Sequence, residues 1–460
     1  MLRSITSWLL CAMLIIFASC NKKEFLEQNP DSNIFIPTTL EDCQALLDNE
    51  TVMNESPVLG EVAADNFFIS TTFWNTLTPR EKNAYIWHPN SFEGMVANVV
   101  DWNSPYKQVF YANVVLQAVE SIEITSSNEV KWKEVKGQAF FARAHAFYQI
   151  AQLFAPVFSS KNPESIPGIV LRLQPEVDEI SLRSSLEVTY RQIIHDLKEA
   201  ARFLSNDIPL LNRNRSSKPA ALGLLARTFL SMDDYNQALK YADSCLQLYP
   251  TLIKYDTLTI GPNSNQFNKF NPETIYQSRF VTTNVLRAIS VSSCVVDSSL
   301  YRSYETNDLR KAVFFRVNSQ NTINPKSSYN GTNQLFTGIA TDEIYLIRAE
   351  CNARLGNVSE AMEDLNTLLE HRWRISAFRP LTVHNDEEAL DSILAHRRKE
   401  LPFRGLRWTD LRRLNKNGAN IILKRWINNK DYELRPGDLR YTFLIPPDVI
   451  SFTGMQQNPR

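Results

Sequence analysis

Apolar side chains recur every three to four positions over long stretches of the chain, and that period predicts helices. Tyr106 to Ile122 carries Val109, Phe110, Val114, Leu116 and Val119 at helical spacing. Val130 to Phe154 carries Phe140, Ala144, Phe147, Ile150, Ala151 and Phe154, and Pro156 stops it because proline has no N–H to continue the ladder. Leu186 to Leu204 follows Ser184-Ser185, hydroxyls suited to capping a helix start. A short helix is expected over Thr39 to Asp48, and a last strong helical region over Ala389 to Leu414. Glu61 to Trp87 has no clean period and reads as loops and short helices. Lys430 to Arg460 reads as an irregular tail.

Two segments repeat one pattern. Leu222 to Pro250 aligns with Tyr345 to Trp373, setting Ala226 against Ala349 and Ala238 against Ala361. Asp233 falls against Gly356 at the turn between two helices. Small residues at matched offsets let paired helices cross closely. With Tyr235 and Pro250, the pattern is that of a tetratricopeptide repeat, whose period is about 34 residues. Between the units, Thr251 to Thr341 is rich in Asn, Ser and Thr with scattered aromatic rings. A stretch of that length interrupting helices reads as a functional insertion.

Composition agrees with a helical reading. The 460 residues are 43% hydrophobic and 22% charged, enough for a substantial core, and only 13 are glycine. A formal net charge of -1 gives no basic surplus for nucleic acid or acidic lipid. Cys43, Cys245, Cys294 and Cys351 show no CxxC or Cys/His metal spacing. Cys245 and Cys351 fall inside helical patterns, as small core residues do.

The N-terminus changes the picture most. Arg3 precedes an almost wholly apolar run from Trp8 to Phe17, and small residues lead to Cys20. Positive start, short apolar core and small residues before a cut are the layout of an export signal. The run falls short of the roughly 20 residues that span a bilayer. Leu14 to Cys20 resembles a bacterial lipobox. The resemblance implies a signal peptide over 1–19, acylation of Cys20 with palmitate-type chains, and a tether over 20–38. Residues 39–460 then form one domain, with repeat helices about 106–250 and 342–414 and a variable insertion about 251–341.

Catalytic chemistry has no signature here. His88, His145, His195, His371, His384 and His396 form no HExxH or other metal spacing. No GxSxG elbow, Walker loop or dinucleotide fingerprint is present. No metal or cofactor is expected, and the chain reads as a non-enzyme. Asp386-Glu387-Glu388 and Asp233-Asp234 read as solvated charges at helix starts. Aromatics, 11% of the chain, are the better lead. Phe67, Phe68, Trp74, Tyr85 and Trp87 cluster in the loop-like early part, and a flat ring can stack on a sugar or hold an apolar side chain.

Several stretches together resemble the SusD/RagB family of outer-membrane nutrient-binding lipoproteins. They are Arg143 to Ala155, Ser217 to Leu230 with Asp234 to Asp243, and Glu343 to Glu350 with Leu355-Gly356-Asn357. Most specific is Arg397 to Arg413, which matches the family's RR-x-EL-x-F-E-G-x-R-x-x-DL-x-R except that Arg404 stands where Glu is common. Ile445-Pro446-Pro447 and Gln457-Asn458-Pro459 fit the family's ending. The resemblance implies a mostly α fold: a SusD-like helical scaffold with TPR-like pairs and a loop-rich ligand face. It implies capture of an oligosaccharide or peptide at the outer membrane and delivery to a SusC-like TonB-dependent transporter. Glu400, Arg407 and Asp410 are expected to hold the fold, with Gly405 permitting a turn. Trp74, Trp87 and Tyr304 are the expected ligand-stacking rings, placed by the family's aromatic arc and not by any residue-level motif. Two other readings stand beside this one: a TPR-type assembly lipoprotein, and a surface polymer-degrading enzyme.

Overall fold

Helices that follow one another in sequence also pack against one another, so the scaffold is a stack of hairpins built from local contacts. The computed structural model describes residues 37–95, 98–176, 181–261, 266–286, 293–326 and 328–460. Its main helices are α1 Leu40–Leu47, α2 Val100–Glu120, α3 Glu129–Phe154, α4 Leu186–Phe203, α5 Lys218–Ser231, α6 Tyr235–Leu248, α7 Thr341–Arg354, α8 Val358–Glu370, α9 Asp386–Glu400, α10 Arg407–Lys416 and α11 Pro447–Thr453. From α2 to α6 each helix packs on the next. Helix α6 then packs on α7, across the whole insertion, and α7 carries α8 and α9. Residues 38–460 form one unit.

The sequence signals for these helices are visible in their ends. Thr39 caps α1 in a reciprocal capping box with Asp42, and Ser185 accepts from the Val188 N–H at the start of α4. In the two aligned hairpins, Ala226, Ala349, Ala238 and Ala361 are all fully buried, so the helices cross where side chains are smallest. Asp233 and Gly356 occupy equivalent turns and both take positive φ, 61° and 81°. Glycine accepts that backbone without strain, and aspartate is among the residues that tolerate it.

Three elements differ from the sequence expectation. Helix α2 begins at Val100 and runs through Pro105, where the period alone places the start at Tyr106. Proline removes one helical hydrogen bond near the N-terminus, and the first turn is held instead by Asp101. Its carboxylate accepts from the Val58 and Leu59 N–H groups at 2.6 and 3.1 Å and from Arg80 at 2.7 Å. The region Ala389 to Leu414 is two helices, because Gly405 at φ 75° turns the chain between α9 and α10. The C-terminal segment is not irregular throughout. Leu423–Ile427 pairs with Lys430–Leu434 in a hairpin through Asn428 and Asn429, and α11 follows.

The insertion has short strands and closes onto the N-terminal part. Glu55–Ser56 pairs with Arg279–Phe280, and Phe67–Phe68 with Val295–Val296. Most of its rings form core: Tyr255, Phe267, Tyr329 and Phe336 pack together under the loops.

Buried ion pairs lock insertion and helices together. Glu400 accepts from Arg310 at 3.0 Å and Arg372 at 2.6 Å, and all three side chains are fully enclosed. Asp410 takes Arg397 and Arg413, each at 2.9 Å, and Arg413 reaches on to Glu350 at 2.6 and 2.8 Å. Arg407 grips Asp65 with two parallel bonds of 2.7 and 2.9 Å. The Arg397 to Arg413 signature is thus a framework, as its chemistry suggests. Arg404 belongs to it too. It pairs with Asp342 at 3.1 Å and lies over the rings of Tyr329 and Phe336, 4.1 and 4.6 Å from their centroids.

Candidate functional site

Helix α2 carries Trp102, Tyr106 and Phe110 four residues apart, a spacing that stacks side chains on one face. That face forms a wall of an open groove of about 330 Å³. The opposite wall is Val449, Phe452, Thr453 and Met455 of the C-terminal segment. The end is closed by Arg172, Gln174 and Glu176, which follow the Pro167–Val170 strand. Trp102 and Tyr106 lie 4.8 Å apart at 44°, and Trp102 is braced edge-on by Phe154 at 5.0 Å. Phe452 is 89% exposed, an apolar ring left in water at the groove's lip.

Polar groups around the rings are fixed by hydrogen bonds. The Tyr106 hydroxyl donates to the Val170 carbonyl at 2.9 Å. Burial raises its phenol well above the ordinary value, so it stays protonated. Asn113 donates to the Arg172 and Gln174 carbonyls at 3.0 and 3.1 Å and accepts from Arg143 at 3.0 Å. Arg143 is itself held by Asp196 through two 2.8 Å bonds. Arg172 donates to the Ser181 hydroxyl at 2.6 Å. Ring faces combined with a preset polar end suit a ligand with both C–H faces and hydroxyl or carbonyl groups.

The three rings expected from sequence do not make a shared face. Trp87 is 3% exposed. Its indole N–H donates to the Ala63 carbonyl at 2.9 Å, and Arg425 lies 5.0 Å from its centroid. Tyr304 is also 3% exposed, with its hydroxyl on the Lys399 carbonyl at 2.6 Å. Both rings are core: Arg425 of the C-terminal hairpin covers Trp87, and Tyr304 packs edge-on against Phe315 at 5.5 Å. Trp74 is half-buried on the short Thr71–Thr76 helix, donating to the Lys82 carbonyl at 3.3 Å under the Lys82 ammonium. Of the early cluster, Phe67 and Tyr85 are buried and Phe68 is exposed. Cys20 and its flanking residues lie outside the described residues.

Sequence reading missed the groove for two identifiable reasons. Starting α2 at Tyr106 excluded Trp102 and hid the four-residue ring spacing. Treating the C-terminus as irregular hid α11, which supplies the facing wall. Among the described residues no cluster of His, Cys, Asp and Glu is arranged to hold a metal ion. No described helix is long and apolar enough to cross a membrane.

A stack of helical hairpins clamped by buried arginine–carboxylate pairs, with a long loop-rich insertion and an aromatic groove, defines a helical-repeat binding scaffold. The chain belongs to the SusD/RagB family: residues 24–230 match the SusD-like model described as starch-binding and associating with the outer membrane, and residues 290–441 match the SusD family model. It is similar to the SusD-like protein P2 of Formosa agariphila, 23% identical over 78% of this chain and 79% of that protein. Among solved structures it resembles a SusD superfamily protein from Bacteroides vulgatus, with a TM-score of 0.75 and 21% identity over 92% of this chain and 99% of the other. A SusD-like carbohydrate binding protein from the same species matches with a TM-score of 0.69 and 19% identity, over 91% of this chain and 97% of that one.

Proposed function

We propose that this protein is an outer-membrane lipoprotein, anchored through Cys20 and facing the cell surface. It captures an oligosaccharide and delivers it to a SusC-like TonB-dependent transporter. The observation that carries the reading is the groove: Tyr106 and Phe110, backed by the buried Trp102, opposite Phe452, with polar side chains beside them. Stacked rings hold the C–H faces of sugar residues, and the polar end reads hydroxyls. The family's character, starch-binding and associating with the outer membrane, supports the same assignment. Trp74, half-buried on the Thr71–Thr76 helix, is a further ligand contact.

A glycan array and a peptide library, each followed by calorimetry, test the proposal. A glycan is expected to bind. Phe110→Ala and Phe452→Ala are each expected to cost about 1–2 kcal/mol, roughly 5- to 30-fold in affinity. Selective peptide binding would replace the glycan reading. Glycan binding unmoved by both variants would remove the groove from it. Delivery is tested separately: affinity purification of the protein from outer membranes in mild detergent should bring a barrel transporter in stoichiometric amount.

A further inference from the structure

The groove wall that faces Tyr106 and Phe110 is hydrogen-bonded to the rest of the molecule only at its two ends. One end is Ile445, and the other is Gln456 to Asn458. The Ile445 N–H donates to Gln457 Oε1 at 2.7 Å, and Gln457 Nε2 donates back to the Ile445 carbonyl at 2.9 Å, so the two ends are pinned to each other. Asn458, 4% exposed, donates to the Phe154 and Phe443 carbonyls at 2.8 and 2.7 Å, which ties them to the end of α3. Arg183 holds the Gln456 carbonyl at 3.1 Å. Between these feet, residues 446–455 make no hydrogen bond or ion pair to another element among the described residues. Their bonds are internal: the Ile450 N–H to the Pro446 carbonyl at 3.1 Å, the Gly454 N–H to the Ile450 carbonyl at 2.8 Å, and the Thr453 hydroxyl to the Val449 carbonyl at 2.7 Å. No side chain of α11 is fully buried, and Val449 and Ile450 rest on the core as half-buried contacts. Gly454 ends the helix at φ 66°, and a Cβ there would meet no atom within 4 Å. A glycine in open space rotates without collision. A segment held by a few apolar contacts between fixed feet moves at lower cost than one bonded into the scaffold.

Phe452 gives that motion a direction. Its ring is 89% exposed at the lip of the groove, and apolar surface in water is driven to cover itself. Turning inward about Gly454 brings the ring toward Tyr106 and Phe110, whereas turning outward would uncover Val449 and Ile450 as well. Closing over an empty groove of about 330 Å³ leaves a void whose lining has lost its contacts. An occupied groove leaves no void. The free protein is therefore mostly open with a minor closed state, and an occupant shifts the balance toward closure. We propose that residues 446–455 form a hinged flap that closes over the aromatic groove, and that Phe452 is the ring it lays on the occupant. This inference rests on the reading of the groove as the ligand site. It adds that the site is gated by the chain's own C-terminal segment, so that release of an occupant waits on the flap.

The test is fluorine NMR on the purified protein without its lipid anchor, with 4-fluorophenylalanine in place of Phe452. Flipping of the ring leaves a para fluorine where it is, so relaxation dispersion of this signal reports displacement of the flap on the microsecond-to-millisecond scale. An exposed major state exchanging with a minor state is expected. Phe110→Ala removes the ring that the closed flap meets and should lower the minor population about threefold or more. If that variant does not fold, Phe110→Leu carries the comparison, with a drop of about twofold or more. A signal without dispersion overturns the flap. Dispersion that the Phe110 variants leave unchanged also overturns it, since the motion is then not toward the groove. No ligand is added, so a rigid flap sinks this inference and leaves the groove reading standing. A moving flap on a protein that binds no glycan does the reverse.

Discussion

Glu400 is the acceptor on which two fully buried arginines converge, so its loss should be costly in proportion to what each arginine retains. In Glu400→Gln the side chain keeps its shape and one acceptor oxygen, but an NH₂ group now faces a guanidinium. Arg310 retains Asp308 through bonds of 2.8 and 2.6 Å, and Arg372 retains Glu273 at 2.8 and 3.0 Å. Breaking a buried pair by removing one partner costs roughly 3–5 kcal/mol, and the retained carboxylates place this variant at the low end, about 3 kcal/mol. Glu400→Leu removes both acceptors and should reach the upper end. An unfolding entropy of about 2.1 cal/mol/K per residue makes roughly 0.9 kcal/mol/K for residues 38–460, so the Gln variant should lose about 3–4 °C in Tm and the Leu variant more. The assay is thermal and urea unfolding of the purified protein without its lipid anchor. Glu41→Gln is the control, since Glu41 meets Lys131 in open water and its removal should leave Tm unchanged. A Glu400→Gln variant as stable as the parent, or no more affected than Glu41→Gln, would refute the view that this carboxylate holds insertion and helices together.

Other outcomes follow from the same structure. Burial pushes the Glu61 carboxyl up to about 7, although Asn66 and the Gly405 N–H both bond it. The native state therefore holds a proton that the unfolded chain releases near pH 4.5. The Glu61 contribution to stability should fall by about 3 kcal/mol as pH rises from about 4.5 to 7, and Glu61→Gln should flatten that part of the urea-midpoint curve. Gly405→Ala should cost about 1–2 kcal/mol by equilibrium unfolding, because φ is 75° and a Cβ would sit 3.2 Å from the Phe280 ring. Cys20→Ala should release the protein from the membrane fraction, scored by detergent partitioning; a variant that still partitions with detergent would sink the anchor assignment.

The scaffold was legible because its determinants are local. A period of 3.6, hydroxyl caps and matched alanines declare a helix whatever it packs on, and the paired turns at Asp233 and Gly356 marked the repeat. The Arg397 to Arg413 signature was equally readable through its resemblance to the family pattern, and its nine charges in so short a run need partners. Ligand-facing rings were not legible. Trp87 and Tyr304 look like Phe110 and Phe452 in a sequence. Trp87, Tyr304 and Trp102 are all buried, and only the return of the C-terminal helix, which leaves Phe452 89% exposed opposite Phe110, makes a groove that a ligand can enter.

The strand pairing between the early segment and the insertion also fixes an order of events. The Ser56 hydroxyl meets the Ser278 hydroxyl at 3.0 Å, yet the two lie 222 positions apart in the chain. Helices α2 to α6 can form between them from contacts with near neighbours, whereas the Glu55–Ser56 edge has no mate until residue 280 is present. A chain that emerges N-terminus first therefore carries an unpaired Glu55–Ser56 edge until residue 280 has followed. Closing that loop carries an entropy cost that the local helix contacts do not.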